Sequence, residues 1–85
     1  MTLEQVRDEL VQALQRAIGE HGTPNTFGLM ELQAEYGGPS PRQAGRICRR
    51  FLTSLAGALG VSPTAIEYNP KAKGYKSAAI TISEV

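Results

Sequence analysis

The chain has 85 residues, 41% hydrophobic and 20% charged, which is enough for one small domain burying roughly 60 to 65% of the surface its unfolded chain exposes. No apolar run approaches the roughly 18 residues of a membrane span. The early charges Glu4, Arg7, Asp8 and Glu9 do not fit a signal peptide, so a cytoplasmic protein is expected.

The net charge of +1 conceals an asymmetry. Residues 1–35 carry two arginines against six acids, a balance of −4, whereas residues 36–85 carry seven cations against two acids, a balance of +5. No acid occurs between Tyr36 and Ile66. Such a dipolar chain suits a domain with one side that faces an anion and one that avoids it.

In chain order, Leu3, Val6, Leu10, Val11, Leu14, Ala17 and Ile18 recur at the three-and-four spacing of an amphipathic helix, predicted over about 3–18. Thr2 with Gln5 fits a capping box at its start and Gly19 a stop at its end. The sequence GEHGTPNT is loop-like, and Thr26 and Phe27 suit a short extended stretch. Leu29, Leu32 and Tyr36 share one face of a second helix, about 28–36, ended by Gly37. Ser40, Pro41 and Gln43 then supply the N-cap, N1 and N3 residues of a third helix, about 41–59, stopped near Gly60.

On that helix, at about 100° per residue, Arg42, Gln43, Arg46, Arg49, Arg50 and Thr53 cover an arc of about 120°. The apolar arc opposite holds Ala44, Ile47, Cys48, Phe51, Leu52, Leu55, Ala58 and Leu59, all expected in the core. Gly45 in mid-helix costs about 1 kcal/mol relative to alanine, which suggests close packing against the second helix or close approach of a ligand. Beyond it, alternation of Ile66 and Tyr68, a turn at NPKAKG, and alternation of Ala78, Ile80 and Ile82 predict a hairpin with strands about 64–69 and 75–82.

This order of elements, with FGLMELQAEYGGPSPRQAGRICRRFL as its centre, resembles the winged helix-turn-helix domains that bind DNA. The resemblance implies an α+β fold of three helices followed by a two-stranded β-hairpin wing. Its GGPS turn contains proline and its third helix is longer than in that family. It also implies that the helix 41–59 meets duplex DNA. Arginine there pairs with guanine edges and glutamine with adenine, which makes Arg42, Gln43 and Arg46 the candidate base readers. Ser40 opens that helix and leaves its backbone N–H groups toward phosphate. Arg49, Arg50 and Thr53 are candidate phosphate contacts, and Lys71, Lys73, Tyr75 and Lys76 candidate wing contacts. The corresponding role is a small prokaryotic or phage transcription regulator or accessory factor.

Other readings stand beside it. The basic face also suits an acidic protein partner, and the acidic first helix suits docking to a larger complex, since winged domains serve both purposes. RNA is a further option, weighed against by only five aromatic residues. A homodimer is one further option, suggested by half-site pairing and by the extra apolar residue in the pair Leu10 and Val11. Cys48, alone of its kind, excludes an internal disulfide and reads as a small core residue. His21 lacks a second ligand of metal-binding spacing. One Asp, one His and one Cys, without a phosphate-binding glycine loop, give no catalytic constellation, so neither enzymatic activity nor a cofactor is expected.

Overall fold

The computed structural model describes residues 2–75 and 78–83, and its elements run α1 (Leu3–His21), β1 (Asn25–Gly28), α2 (Leu29–Tyr36), α3 (Pro41–Leu59), a 3-10 turn (Pro63–Ala65), β2 (Ile66–Asn69) and β3 (Ala79–Ile82). The fold is α+β, with three helices over a small antiparallel sheet.

The start of α1 forms as its sequence dictates. Thr2 accepts from the Gln5 backbone N–H while the Gln5 side chain accepts from the Thr2 backbone N–H, a complete capping box. The helix passes through Gly19 and stops at Gly22, which has φ +75°. Leu10 and Val11 are both buried within the monomer. The apolar excess that pointed to pairing of two copies is therefore consumed by this chain's own core.

The expected two-stranded hairpin is a three-stranded sheet of order β1-β3-β2. The stretch around Thr26 and Phe27 is its first strand, paired with β3 so that Phe27 faces Ile80 and Thr26 faces Thr81. Tyr68 flanks Ile80 from the other side. On the opposite face the Thr26 and Thr81 hydroxyls are hydrogen-bonded at 2.9 Å, a cross-strand pair of the kind that fixes register. Period-two alternation puts Ile80 and Ile82 wholly inside, where they meet Leu10, Leu14, Ile47 and Leu55 in one core.

Helix α3 is not one straight rod. Phe51 has φ −132° and ψ 32°, which breaks the helical path. Before the break Ala44, Gly45, Ile47 and Cys48 are buried; after it Leu55, Ala56 and Leu59 are. At about 100° per residue the buried side has moved by roughly 45°. Phe51 and Ala58, expected inside on a straight wheel, are consequently exposed, and Leu52 is half-buried. The far half is tied back to α1, where Arg7 Nη1 donates to Ser54 Oγ at 2.9 Å.

Candidate nucleic-acid interface

The turn that leads into α3 is fixed by backbone geometry. Gly37 and Gly38 both take positive φ, +77° and +89°, a region that side-chain-bearing residues rarely adopt. Gly38 also passes so close to α1 that a Cβ there would stand 3.2 Å from Ala13 Cβ and 3.3 Å from the Glu9 carbonyl oxygen. Pro39 is buried beneath the turn. The entry direction of α3 is therefore set by its contact with the first helix.

Ser40 is the N-cap, accepting from the Gln43 N–H at 3.3 Å, with Pro41 in the first turn. The expected reciprocal bond takes a different form: Gln43 Oε1 accepts from the Ser40 hydroxyl at 3.4 Å rather than from its backbone. That long contact holds the Gln43 side chain at the helix mouth.

The structure gathers most of the predicted residues around Arg42. Ser40, Arg42, Gln43 and Arg46 line one hollow; Arg42, Arg46, Arg49 and Arg50 line a second. A third opens between α3 and the base of the β2–β3 hairpin, where Arg42 and Arg49 meet Tyr68, Pro70 and Ala78. Among the described residues, no acid pairs with any of these four arginines. Among the described residues, their positive charge is uncompensated.

Other predicted residues lie elsewhere. Thr53 is exposed but follows the break at Phe51, outside these hollows. Lys71 and Lys73 are exposed on the β2–β3 loop, whose path is shaped by the Asn69 side chain accepting from the Lys71 N–H at 3.0 Å and by a turn from Ala72 to Tyr75. Tyr75 does not join them. It is half-buried against Gly28, and its hydroxyl donates to the Thr26 carbonyl at 3.3 Å. Its hydrogen-bonding capacity is used to fasten the end of the loop to β1. Lys76, also predicted here, lies outside the described residues.

Sequence reasoning missed Tyr68. Gly45 packs against neither α2 nor a ligand but against this tyrosine: a Cβ at position 45 would stand 2.9 Å from the Tyr68 hydroxyl. The Arg49 guanidinium carbon lies 5.9 Å from the centre of the Tyr68 ring, within cation–π range. The available signal was a glycine on the inner side of a helix together with an aromatic residue in the strand that follows.

A different hollow, lined by His21, Glu31, Glu35, Tyr36 and Tyr75 among others, shares no residue with the arginine hollows. Tyr36 donates to Glu20 Oε2 at 2.8 Å, and Arg16 donates to the Tyr36 carbonyl at 2.9 Å, tying α1 to α2. Desolvation, then the bond to Glu20 and the charges of Glu20 and Glu35, push the Tyr36 phenol up to about 12. Cys48 is 2% exposed, and burial pushes its thiol up to about 12 against the opposing charge of Arg49. It is an unreactive core thiol. Among the described residues, no group of three His, Cys, Asp or Glu side chains is placed to hold a metal, and no helix is long and apolar enough to cross a membrane.

Compared with protein-family models, curated proteins and solved structures, the chain matches none of them.

Proposed function

We propose that the chain is a winged helix-turn-helix DNA-binding protein, a small regulator or accessory factor of a prokaryote or phage. The first half of α3 reads duplex DNA and the β2–β3 loop contacts its backbone. The observation that carries this reading is the cluster Arg42, Arg46, Arg49 and Arg50, which lines one hollow on the first half of a capped helix, shares Arg42 and Arg46 with a second hollow at the helix start, and has no acidic partner among the described residues. Uncompensated arginines of this kind gain most from a polyanion, by release of its counterions. The two arginines nearest the helix start, Arg42 and Arg46, are the base readers, with Gln43 beside them.

The order of elements agrees with the reading, since a helix–turn–helix leads to two strands joined by a lysine-bearing loop. Strand β1 extends the wing's sheet beyond the two strands expected.

Titration of the protein with random-sequence duplex DNA at low salt tests the proposal. Binding whose log affinity falls with log salt at a slope of about −4 to −5, for five phosphate contacts, is expected. Changing Arg42 and Arg46 together to alanine should weaken binding to a selected site, each lost base contact costing about 1 to 3 kcal/mol. Unchanged affinity in that variant rules out α3 as the reader. Absence of binding to any duplex directs the same arginines toward an acidic protein surface.

A further inference from the structure

Beyond assigning α3 to duplex DNA, we infer that the notch between α3 and the hairpin base seats one backbone phosphate, held by Arg49, and that Tyr68 is the positioning residue for Arg49. This rests on the DNA-binding reading and concerns a residue in β2 rather than in the reading helix.

The construction of the notch carries the inference. Arg42 and Arg49 are seven residues apart on α3, two turns along one side, and both line the notch with Tyr68 and Pro70. An exposed arginine ordinarily samples many rotamers, and ordering it on binding costs side-chain entropy. Arg49 differs from Arg46 and Arg50 in having a ring beneath it. The Tyr68 ring lies 5.9 Å from its guanidinium carbon, and no carboxylate among the described residues competes for the charge. A ring attracts the guanidinium without neutralising it, so the N–H groups at its edge stay available to phosphate oxygens.

Tyr68 is itself held in place. It pairs with Ile80 of the central strand, and its hydroxyl occupies the space that Gly45 leaves open. One missing side chain on α3 therefore fixes the ring, and the ring fixes the guanidinium one turn further along the helix. Neither Gly45 nor Tyr68 has to touch DNA for this to operate.

The test is a double-mutant cycle on affinity for random duplex DNA, with thermal unfolding of each variant as a check on folding. Arg49→Ala should weaken binding and reduce the magnitude of the salt slope by about 0.9, the loss of one phosphate contact. Tyr68→Leu should weaken binding about 2- to 5-fold when Arg49 is present and have no effect in the Arg49→Ala background. Tyr68→Phe, which keeps the ring, should bind as the wild type does. A Tyr68→Leu loss of equal size in both backgrounds, or no loss in either, overturns the positioning role while DNA binding stands. An unaltered salt slope in Arg49→Ala overturns the phosphate seat. Wild-type protein that fails to bind duplex DNA overturns this inference together with the reading it rests on.

Discussion

The Tyr68 hydroxyl lies where a side chain at position 45 would begin, 2.9 Å from a Cβ built on Gly45. Real Cβ atoms do not approach neighbours so closely, so alanine at this position has to displace the tyrosine. Glycine in mid-helix is retained here against a helix-propensity cost of about 1 kcal/mol.

That conflict makes the effect of Gly45→Ala depend on residue 68. In the Tyr68→Phe background the hydroxyl is gone and the next ring atom is at 3.8 Å, an ordinary contact. Gly45→Ala should therefore be more favourable in that background than in the wild type by about 0.5 to 3 kcal/mol, the coupling expected of residues in contact. Urea unfolding of the four proteins measures the difference, and additive effects would dissociate the glycine from the tyrosine.

The two glycines of the turn into α3 should respond unequally. Both have positive φ, but only Gly38 faces α1, with the Glu9 carbonyl and Ala13 in the way of a side chain; Gly37 faces open space. Gly37→Ala should cost about 1 to 3 kcal/mol, the penalty of the positive-φ, extended-ψ backbone alone. Gly38→Ala should cost more, by equilibrium unfolding, because the steric clash is added to that penalty.

Cys48 imposes a pH dependence on stability. Its thiol titrates near 9 in an unfolded chain and near 12 in the folded one. Below about pH 9 both states keep the proton and its contribution is fully present. As the pH rises from 9 toward 12 the unfolded state loses the proton first, so stability falls, at up to about 1.4 kcal/mol per pH unit. The stability difference between wild type and Cys48→Ala, followed by urea unfolding from pH 8 to 11, should narrow across that window. A constant difference would mean that the thiol ionises alike in both states.

The loop lysines should act on affinity rather than on sequence choice. Replacing Lys71 and Lys73 by alanine is expected to reduce the magnitude of the salt slope by about 1.8 and to weaken selected and random duplexes equally. Loss confined to the selected duplex would place these lysines at base edges instead.

The helices were legible from the sequence because their signals are local: Thr2 with Gln5, Ser40 with Pro41, Gly37 and Gly60 act within a turn of themselves. The arginine cluster was legible for the same reason, since spacing alone puts Arg42, Arg46, Arg49 and Arg50 on one side. What escaped depended on distant partners. The extended stretch at Thr26 and Phe27 was legible, but its place in the sheet was not, because its partners Ile80 and Thr81 lie more than fifty positions away. Tyr75 looked like a loop residue free for a ligand until β1 supplied its partner. At Phe51 neither adjacent residue is a proline or glycine, so nothing local announces the break.

The sheet order has a consequence for how the chain acquires its shape. Among the described residues, strands β1 and β2 do not pair with each other; each pairs with β3. On a ribosome, where the N-terminus emerges first, the helices can assemble early while both outer strands wait for residues 79–82. Loop closure between β1 and β3 spans most of the chain and is the slow, entropically costly step of such a topology. Removing the last strand would abolish every strand pair described, and with them the support under Tyr68, although no arginine would be lost.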